Sequence, residues 1–141
     1  MIGVELTIAK FRELSTKLKR KTLVQMGNAG TRILLKQMKA AAPVSRDKFE
    51  PGLLRRSLGR RVKVYRSGTI LWAGAGPRVG FKMIGPPRTR GERKGEPRVK
   101  NPTKYGRLAN VKTSWATDAA DRAKAEVFAA MQDALQEALK L

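Results

Sequence analysis

The chain contains no cysteine and no histidine among its 141 residues. Their absence excludes disulfide bonds, thiolate or imidazole metal ligands, and nucleophilic catalysis by a Ser-His or Cys-His pair. Aromatic residues are also scarce, at 6% of the chain. No apolar run approaches the roughly 20 residues of a membrane-spanning helix, and we expect no signal peptide. These absences favour a protein made and used in a reducing cytoplasm.

Acidic residues are few as well. The chain has 31 Lys and Arg against 11 Asp and Glu, a formal net charge of +20. Self-repulsion at this charge opposes compaction, so nucleic acid, or less readily a membrane surface, is the natural partner. The charge is uneven, because residues 117–141 hold five acids against three bases. With 41% hydrophobic residues, we expect a single domain over residues 1–141.

The first third of the chain predicts a short strand followed by a long helix. Alternating apolar residues indicate a strand over residues 1–8, and an apolar stripe at steps of three to five indicates an amphipathic helix over residues 9–42. Gly27 and Gly30 each cost a helix interior about 1 kcal/mol relative to Ala. They indicate a kink, a break or close packing against another element. Pro43 ends the pattern, since the residue before a proline avoids the α region.

A β-hairpin is predicted over residues 58–76, with Ser67-Gly68 as the turn between two β-favouring runs. The pairs predicted by this turn are Val64 with Leu71 and Val62 with Ala73. The opposite face carries Tyr65, Ile70 and Trp72. Because both faces are partly apolar, we expect one to cover the core. The other either meets a partner or lies under a second helix of the same domain.

The remaining sequence divides into an arm and a helix. Residues 77–107 are rich in proline, glycine and basic residues without periodicity, which predicts an extended basic arm that is ordered on binding. Residues 117–141 carry an apolar stripe, with Thr117 or Asp118 as the N-cap of a C-terminal helix. The predicted fold class is therefore α+β, with a small antiparallel sheet packed by a long N-terminal helix and a C-terminal helix.

No motif predicts catalysis, a cofactor or a metal ion. The glycines of residues 74–80 do not have the spacing of a dinucleotide-binding loop, and residues 91–98 lack the Gly-Lys-Ser/Thr ending of a P-loop. Two loop pairs of carboxylates, Asp47 with Glu50 and Glu92 with Glu96, lie among Arg and Lys, so ion pairing explains them more simply than acid–base chemistry. We therefore expect a protein that is not an enzyme and that takes no small-molecule substrate.

The basic clusters predict contact with phosphate groups, because Lys and Arg displace the counterions of a polyanion. They begin at residues 17–21 and recur on both sides of the predicted hairpin. The candidate contact residues are Arg55, Arg56, Arg60, Arg61, Arg88, Arg90, Arg93, Lys94, Arg98 and Lys100. The alternative is that they are solvated or pair with acidic neighbouring subunits. Phe81 and Tyr105 are the arm's sole aromatic residues, so base stacking is not indicated there.

Three short motifs and the order of elements carry a resemblance to a family. Residues 42–45 read Ala-Pro-Val-Ser, residues 52–57 read Gly-Leu-Leu-Arg-Arg-Ser, and residues 105–108 read Tyr-Gly-Arg-Leu before a C-terminal helix. This arrangement resembles the tail-completion or head–tail joining proteins of tailed bacteriophages, the group similar to minor tail protein Z. The chain departs from the family pattern in a longer loop at residues 46–51, in Asn110 where an acid is usual, and at residues 114–115.

The resemblance implies a structural virion protein that forms a ring at the head–tail junction, in the neck or at the tail top, after assembly in the host cytoplasm. It implies a cyclic homo-oligomer, with a hexamer favoured over a dodecamer, that contacts other neck and tail proteins and packaged DNA, and no membrane. The alternative from composition is a sequence-nonspecific nucleic-acid-binding protein of ribosomal-like or nucleoid-like type.

Overall fold

A computed structural model describes residues 11–13, 15–44, 52–65, 70–78, 83–100, 110 and 113–139. Its elements are α1 (Thr16–Ala41), α2 (Leu53–Ser57), β1 (Leu58–Tyr65), β2 (Ile70–Pro77), β3 (Met83–Pro87), β4 (Pro97–Lys100) and α3 (Trp115–Leu139). Residues 11–13 are also helical. Two long helices with antiparallel strands confirm the predicted α+β class. The strand predicted over residues 1–8 lies outside the described residues.

Helix α1 is continuous through both of its glycines but starts later than predicted. Ser15 has an extended backbone and its Oγ accepts a hydrogen bond from the Leu18 N–H at 3.4 Å, which makes it the N-cap. The prediction of one helix from residue 9 is therefore wrong at its N-terminal end. At the other end the Ala42 N–H donates to the Met38 carbonyl, and Pro43 follows.

The glycines of α1 allow two neighbours to approach it closely. A Cβ on Gly27 would lie 2.7 Å from Val62 Cγ1 of β1 and 3.0 Å from Leu71 Cδ1 of β2. A Cβ on Gly30 would lie 2.8 Å from Met131 Cγ of α3. Close packing, rather than a kink or a break, is therefore the reason for both glycines, and α1 is the element on which the hairpin and α3 both pack.

The β1–β2 hairpin has the register that the sequence predicts. Val64 pairs with Leu71 and Val62 with Ala73, and the turn itself lies outside the described residues. The half-buried face with Val62 and Leu71 meets α1. On the opposite side Tyr65, Ile70 and Trp72 are 46%, 44% and 50% exposed. The hairpin is thus covered on one face, and the alternative of a strand pair enclosed between two helices is wrong.

The hydrophobic core cluster lies where α1 ends and α3 begins. Its buried residues are Met38, Ala42, Leu54, Leu58, Trp115 and Ala119. They come from both long helices, α2 and the start of β1, so burial of their apolar surface holds the base of the hairpin against both long helices.

The predicted extended arm is in fact largely a second hairpin. Strands β3 and β4 pair antiparallel, with a register shift between Gly85 and Pro87. Gly91 and Gly95 take φ of 88° and 90° in the connecting turn, and the Gly95 N–H donates to the Arg88 carbonyl at 3.0 Å. The composition did not indicate this pairing, because proline is rare in strands and is tolerated only at irregular or edge positions. Pro77, placed at the start of the arm by the prediction, belongs to β2.

Helix α3 begins two residues before the predicted start and is capped from a distance. Asn110 Oδ1 accepts a hydrogen bond from the Ala116 N–H at 2.9 Å, and Asn110 O accepts one from the Ser114 N–H. The prediction of Thr117 or Asp118 as N-cap is wrong for this reason. Ser114, just before the helix, has φ of 51°. An Asn at position 110 supplies the same kind of acceptor oxygen as an acid in this role.

Candidate functional site

The second motif of the resemblance, residues 52–57, has a structural explanation at three of its positions. Gly52 has φ of 76°, in the left-handed region that favours glycine, and it starts α2. Leu54 is 1% exposed in the core. Ser57 is fully buried, and its Oγ donates to the Leu54 carbonyl at 2.7 Å. The motif therefore fixes α2 against the core and leaves Arg55 and Arg56 exposed.

The four arginines of residues 55–61 lie in different surroundings. Arg55 and Arg56 are exposed on α2. Arg60 lies on the α1 side of the hairpin, where its Nη1 donates to the Asn28 carbonyl at 3.0 Å. Arg61 is exposed on the side facing away from α1. The predicted cluster is therefore split, and Arg60 has a structural partner.

The side of the β1–β2 hairpin away from α1, called the outer face below, combines aromatic and basic residues. Tyr65, Ile70 and Trp72 lie toward its turn end, with Lys63 directly across from Trp72. Lys63 Nζ lies 5.7 Å from the centre of the Tyr65 ring, in range for a cation–π contact. The sequence placed the aromatic residues on this face, and the structure adds the basic residues beside them.

A groove of about 520 Å³ occupies the basal end of the outer face. Its floor is formed by backbone and small residues, among them Gly59, Gly74 and Gly76, while Trp72 and Arg61 flank it. The Trp72 ring covers Gly74, since a Cβ there would lie 3.3 Å from Cη2 of the indole. Glycines at alternate strand positions on one face produce such a surface, because side chains alternate between faces.

Arg78 forms one end of this groove and was missed as a candidate residue. Its N–H donates to the Ser57 carbonyl at 2.9 Å, and its Nη2 donates to the Arg56 carbonyl at 3.1 Å. Its side chain lies over Gly59, where a Cβ would come within 2.7 Å of Arg78 Cγ. The pattern of Gly59 opposite Gly76 was the signal that a long side chain crosses this end of the hairpin.

The second hairpin carries the remaining candidate residues. Its tip holds four of them, all exposed: Arg88, Arg90, Arg93 and Lys94. Arg93 Nε and Glu96 Oε2 are 4.0 Å apart, and an exposed pair of this kind contributes little stability. Arg98 and Lys100 belong to β4, and their side chains lie outside the described residues. The tip is thus a concentrated basic surface separate from the outer face.

Helix α3 presents the opposite charge. On its outward side Asp118, Asp121, Ala125, Phe128 and Gln132 recur at steps of three and four. All five are exposed, and Phe128 is 61% exposed. Arg122 and Lys124, also exposed, lie beside them, so the surplus of acid belongs to the helix as a whole.

Among the described residues no three acidic side chains cluster to hold a metal ion. Glu92 and Glu96 are exposed at the tip of the second hairpin, and Asp47 and Glu50 lie outside the described part of the chain.

No helix within the described residues has the length and apolar character needed to cross a membrane. Comparison of the chain with protein-family models, curated proteins and solved structures finds no match.

Proposed function

We propose that this protein is a structural subunit of a tailed-phage particle, a neck or tail-completion component that forms a homo-oligomeric ring around DNA at the head–tail junction. It acts without catalysis, between head-side and tail-side proteins. The observation that carries the proposal is the uncovered outer face, where Tyr65, Ile70 and Trp72 are each more than 40% exposed. Exposed apolar patches of this kind on a small domain mark interaction surfaces.

Two further observations support the proposal. Three residues that carry the resemblance have structural roles: Gly52 takes a left-handed backbone conformation, Leu54 is buried in the core, and Ser57 makes a buried hydrogen bond. In addition, the exposed basic tip of the second hairpin, residues 88–94, suits a subunit that faces phosphate groups. Contacts of that kind hold DNA of any sequence, as a channel for passing DNA requires.

The ring is tested with the purified full chain near physiological ionic strength, about 0.15 M. We expect closed rings of uniform diameter in negative-stain images and a single oligomeric mass by light scattering. A heterologous contact that closes by rotation produces this result. A chain that remains monomeric or dimeric at every concentration tested would contradict the proposal.

A second candidate function is binding of single-stranded nucleic acid, which the outer face favours because Tyr65 and Trp72 lie beside Lys63 and Arg61. Base stacking on an exposed aromatic side chain contributes about 1–3 kcal/mol per base. Under this alternative, oligothymidylate quenches the tryptophan fluorescence, and Trp72→Ala weakens binding about 5- to 150-fold.

The matched control is Phe128→Ala, an exposed aromatic residue on the acidic helix, which leaves this binding unchanged. If duplex and single strands bind equally and Trp72→Ala does not weaken binding, phosphate contacts alone explain the binding. That result would rule out the second candidate.

A further inference from the structure

The end of the second hairpin is uncovered on both of its faces. Every residue from 87 to 97 is exposed, the longest such run in the described part of the chain. Because side chains alternate between the two faces of a strand, such a run leaves neither face packed. A Cβ built on Gly91 or Gly95 would meet no atom within 4 Å. The extensive contacts of β3 and β4 are with each other, whereas the first hairpin and α3 pack on α1.

A hairpin in these surroundings lacks the support that strand pairs need. A single two-stranded hairpin is at best marginally stable in water, and a third strand or a helix against one face normally stabilises it. Here the Arg88 N–H donates to the Glu96 carbonyl at 2.9 Å, and the Gly95 N–H donates to the Arg88 carbonyl at 3.0 Å. All three residues are exposed, so both hydrogen bonds are open to water. A partner that covers this segment would stabilise it.

The chemistry of the tip indicates what this partner is. Residues 88–96 read Arg-Thr-Arg-Gly-Glu-Arg-Lys-Gly-Glu and contain no hydrophobic residue. An interface between proteins has an apolar, often aromatic centre, whereas contacts to phosphate oxygens need hydrogen-bond donors and positive charge. Of the two acids in this segment, Glu96 lies 4.0 Å from Arg93. The bases exceed the acids by two at the tip, which favours an anionic partner.

The sequence on both sides of the tip extends this surplus of positive charge. No acid occurs between Glu50 and Glu92, and the residues between them include ten bases. The hairpin as a whole, residues 83–100, holds six bases against two acids. A polyanion that reaches the tip therefore meets more positive charge along the strands, and each base that pairs with a phosphate releases condensed counterions.

We propose that the second hairpin is the element through which each copy contacts duplex DNA, with Arg88, Arg90 and Lys94 on phosphate oxygens, and that bound DNA stabilises the hairpin. Phosphate contacts carry no sequence information, so the hairpin holds DNA of any sequence. The outer face lies on the other hairpin, and subunit contact and DNA contact are therefore separable properties of the chain. This inference rests on the proposed function and names the residues that face the DNA.

The first test measures how salt weakens the binding of a short duplex of mixed sequence to the full chain, by fluorescence anisotropy. Each phosphate contact contributes about 0.9 to the slope of log K against log salt. Replacing Arg88, Arg90 and Lys94 by glutamine is expected to reduce the magnitude of this slope by about 2.7. Rings should still form in negative-stain images, and circular dichroism confirms that the variant is folded.

The matched control removes the same charge from another surface. Arg32, Lys36 and Lys39 are exposed on α1, and their replacement by glutamine should change the slope by less than about 1, the effect of a single phosphate contact. Equal reductions of the slope in the two triple variants would show that binding follows the net charge of the chain. The assignment of the DNA contact to the second hairpin would then be wrong.

The second test is amide hydrogen exchange of the wild-type chain with and without the duplex. Exchange of residues 88–96 is expected to slow by about 100-fold when the free duplex is at about 100 times its Kd, because DNA binds the closed hairpin. The amides in the middle of α1 should keep their rates. Protection of the tip that appears on ring assembly alone and does not increase with DNA would place the tip against another subunit, which overturns the inference.

The outcomes separate this inference from the proposed function. A wild-type chain that never forms rings, but loses salt dependence in the hairpin variant, would overturn the ring and support the DNA contact. Rings that bind the duplex with one and the same slope in the wild type and the hairpin variant would support the ring and overturn the DNA contact.

Discussion

Replacing Trp115 by alanine is expected to lower the free energy of unfolding by about 3–5 kcal/mol, the range for truncating a buried tryptophan. Trp115 is 6% exposed at the first turn of α3, in the cluster with Met38, Leu54 and Leu58. Its indole therefore joins both long helices to the base of the first hairpin. Because native domains have only about 5–15 kcal/mol of stability, the variant should be largely unfolded at moderate urea concentrations.

The control for this prediction is Phe128→Ala on the same helix, since Phe128 is 61% exposed. Both variants and their parent are compared at the same low protein concentration, which keeps any contribution of assembly to apparent stability small. Urea unfolding followed by circular dichroism is the measurement, because tryptophan fluorescence changes when Trp115 is removed. The phenylalanine variant should stay within about 0.5 kcal/mol of its parent. Equal losses in the two variants would mean that Trp115 does not anchor the core.

The first hairpin was predictable in detail because its information is local. Two β-favouring runs flank a Ser-Gly turn, and a two-residue turn leaves one register, in which Val64 meets Leu71. Which face would be covered was not local information. It depends on Gly27, which lies 35 positions before Val62. Because Gly27 has no side chain, the hairpin can pack closely against α1.

The errors also have physical causes. The spacing of apolar residues is helical from Phe11 through Leu18. Periodicity alone therefore predicted a helix that continues through Ser15, although Ser15 is the N-cap. Leu18 is in fact 49% exposed. The second hairpin was read as extended because its strands are short and contain prolines, and its turn depends on positive φ at Gly91 and Gly95. Nothing in local propensity distinguishes such a pair from a loop.

The candidate site was predictable in charge but not in arrangement. The basic residues at the tip of the second hairpin are exposed as expected. The sequence did not show that Arg60 bonds to the Asn28 carbonyl of α1 or that Arg78 crosses Gly59. Those contacts depend on the register of the hairpin and on its docking, which bring together residues more than 15 positions apart.

The last prediction concerns the two glycines of α1, three positions apart in one helix. An alanine at either position gains the same helix propensity, about 1 kcal/mol. Gly27 faces Val62, a β-branched side chain with restricted rotamers on a paired strand, at 2.7 Å from the new Cβ. Gly30 faces Met131, whose unbranched thioether adapts readily, and Val127, whose Cγ1 at 3.1 Å from the new Cβ must give by only a few tenths of an ångström. The two positions therefore differ in how easily their neighbour moves.

We expect Gly30→Ala to be neutral or to stabilise by up to about 1 kcal/mol, since Met131 can shift while the propensity gain is kept. Gly27→Ala should destabilise, and Gly27→Leu should cost about 3 kcal/mol, at the upper end of overpacking, because the hairpin must move away from α1. Urea midpoints measured side by side give the difference. Stabilisation of equal size by both alanines would show that the hairpin does not rest on Gly27. The position of the outer face relative to α1 would then depend on contacts other than the one at Gly27.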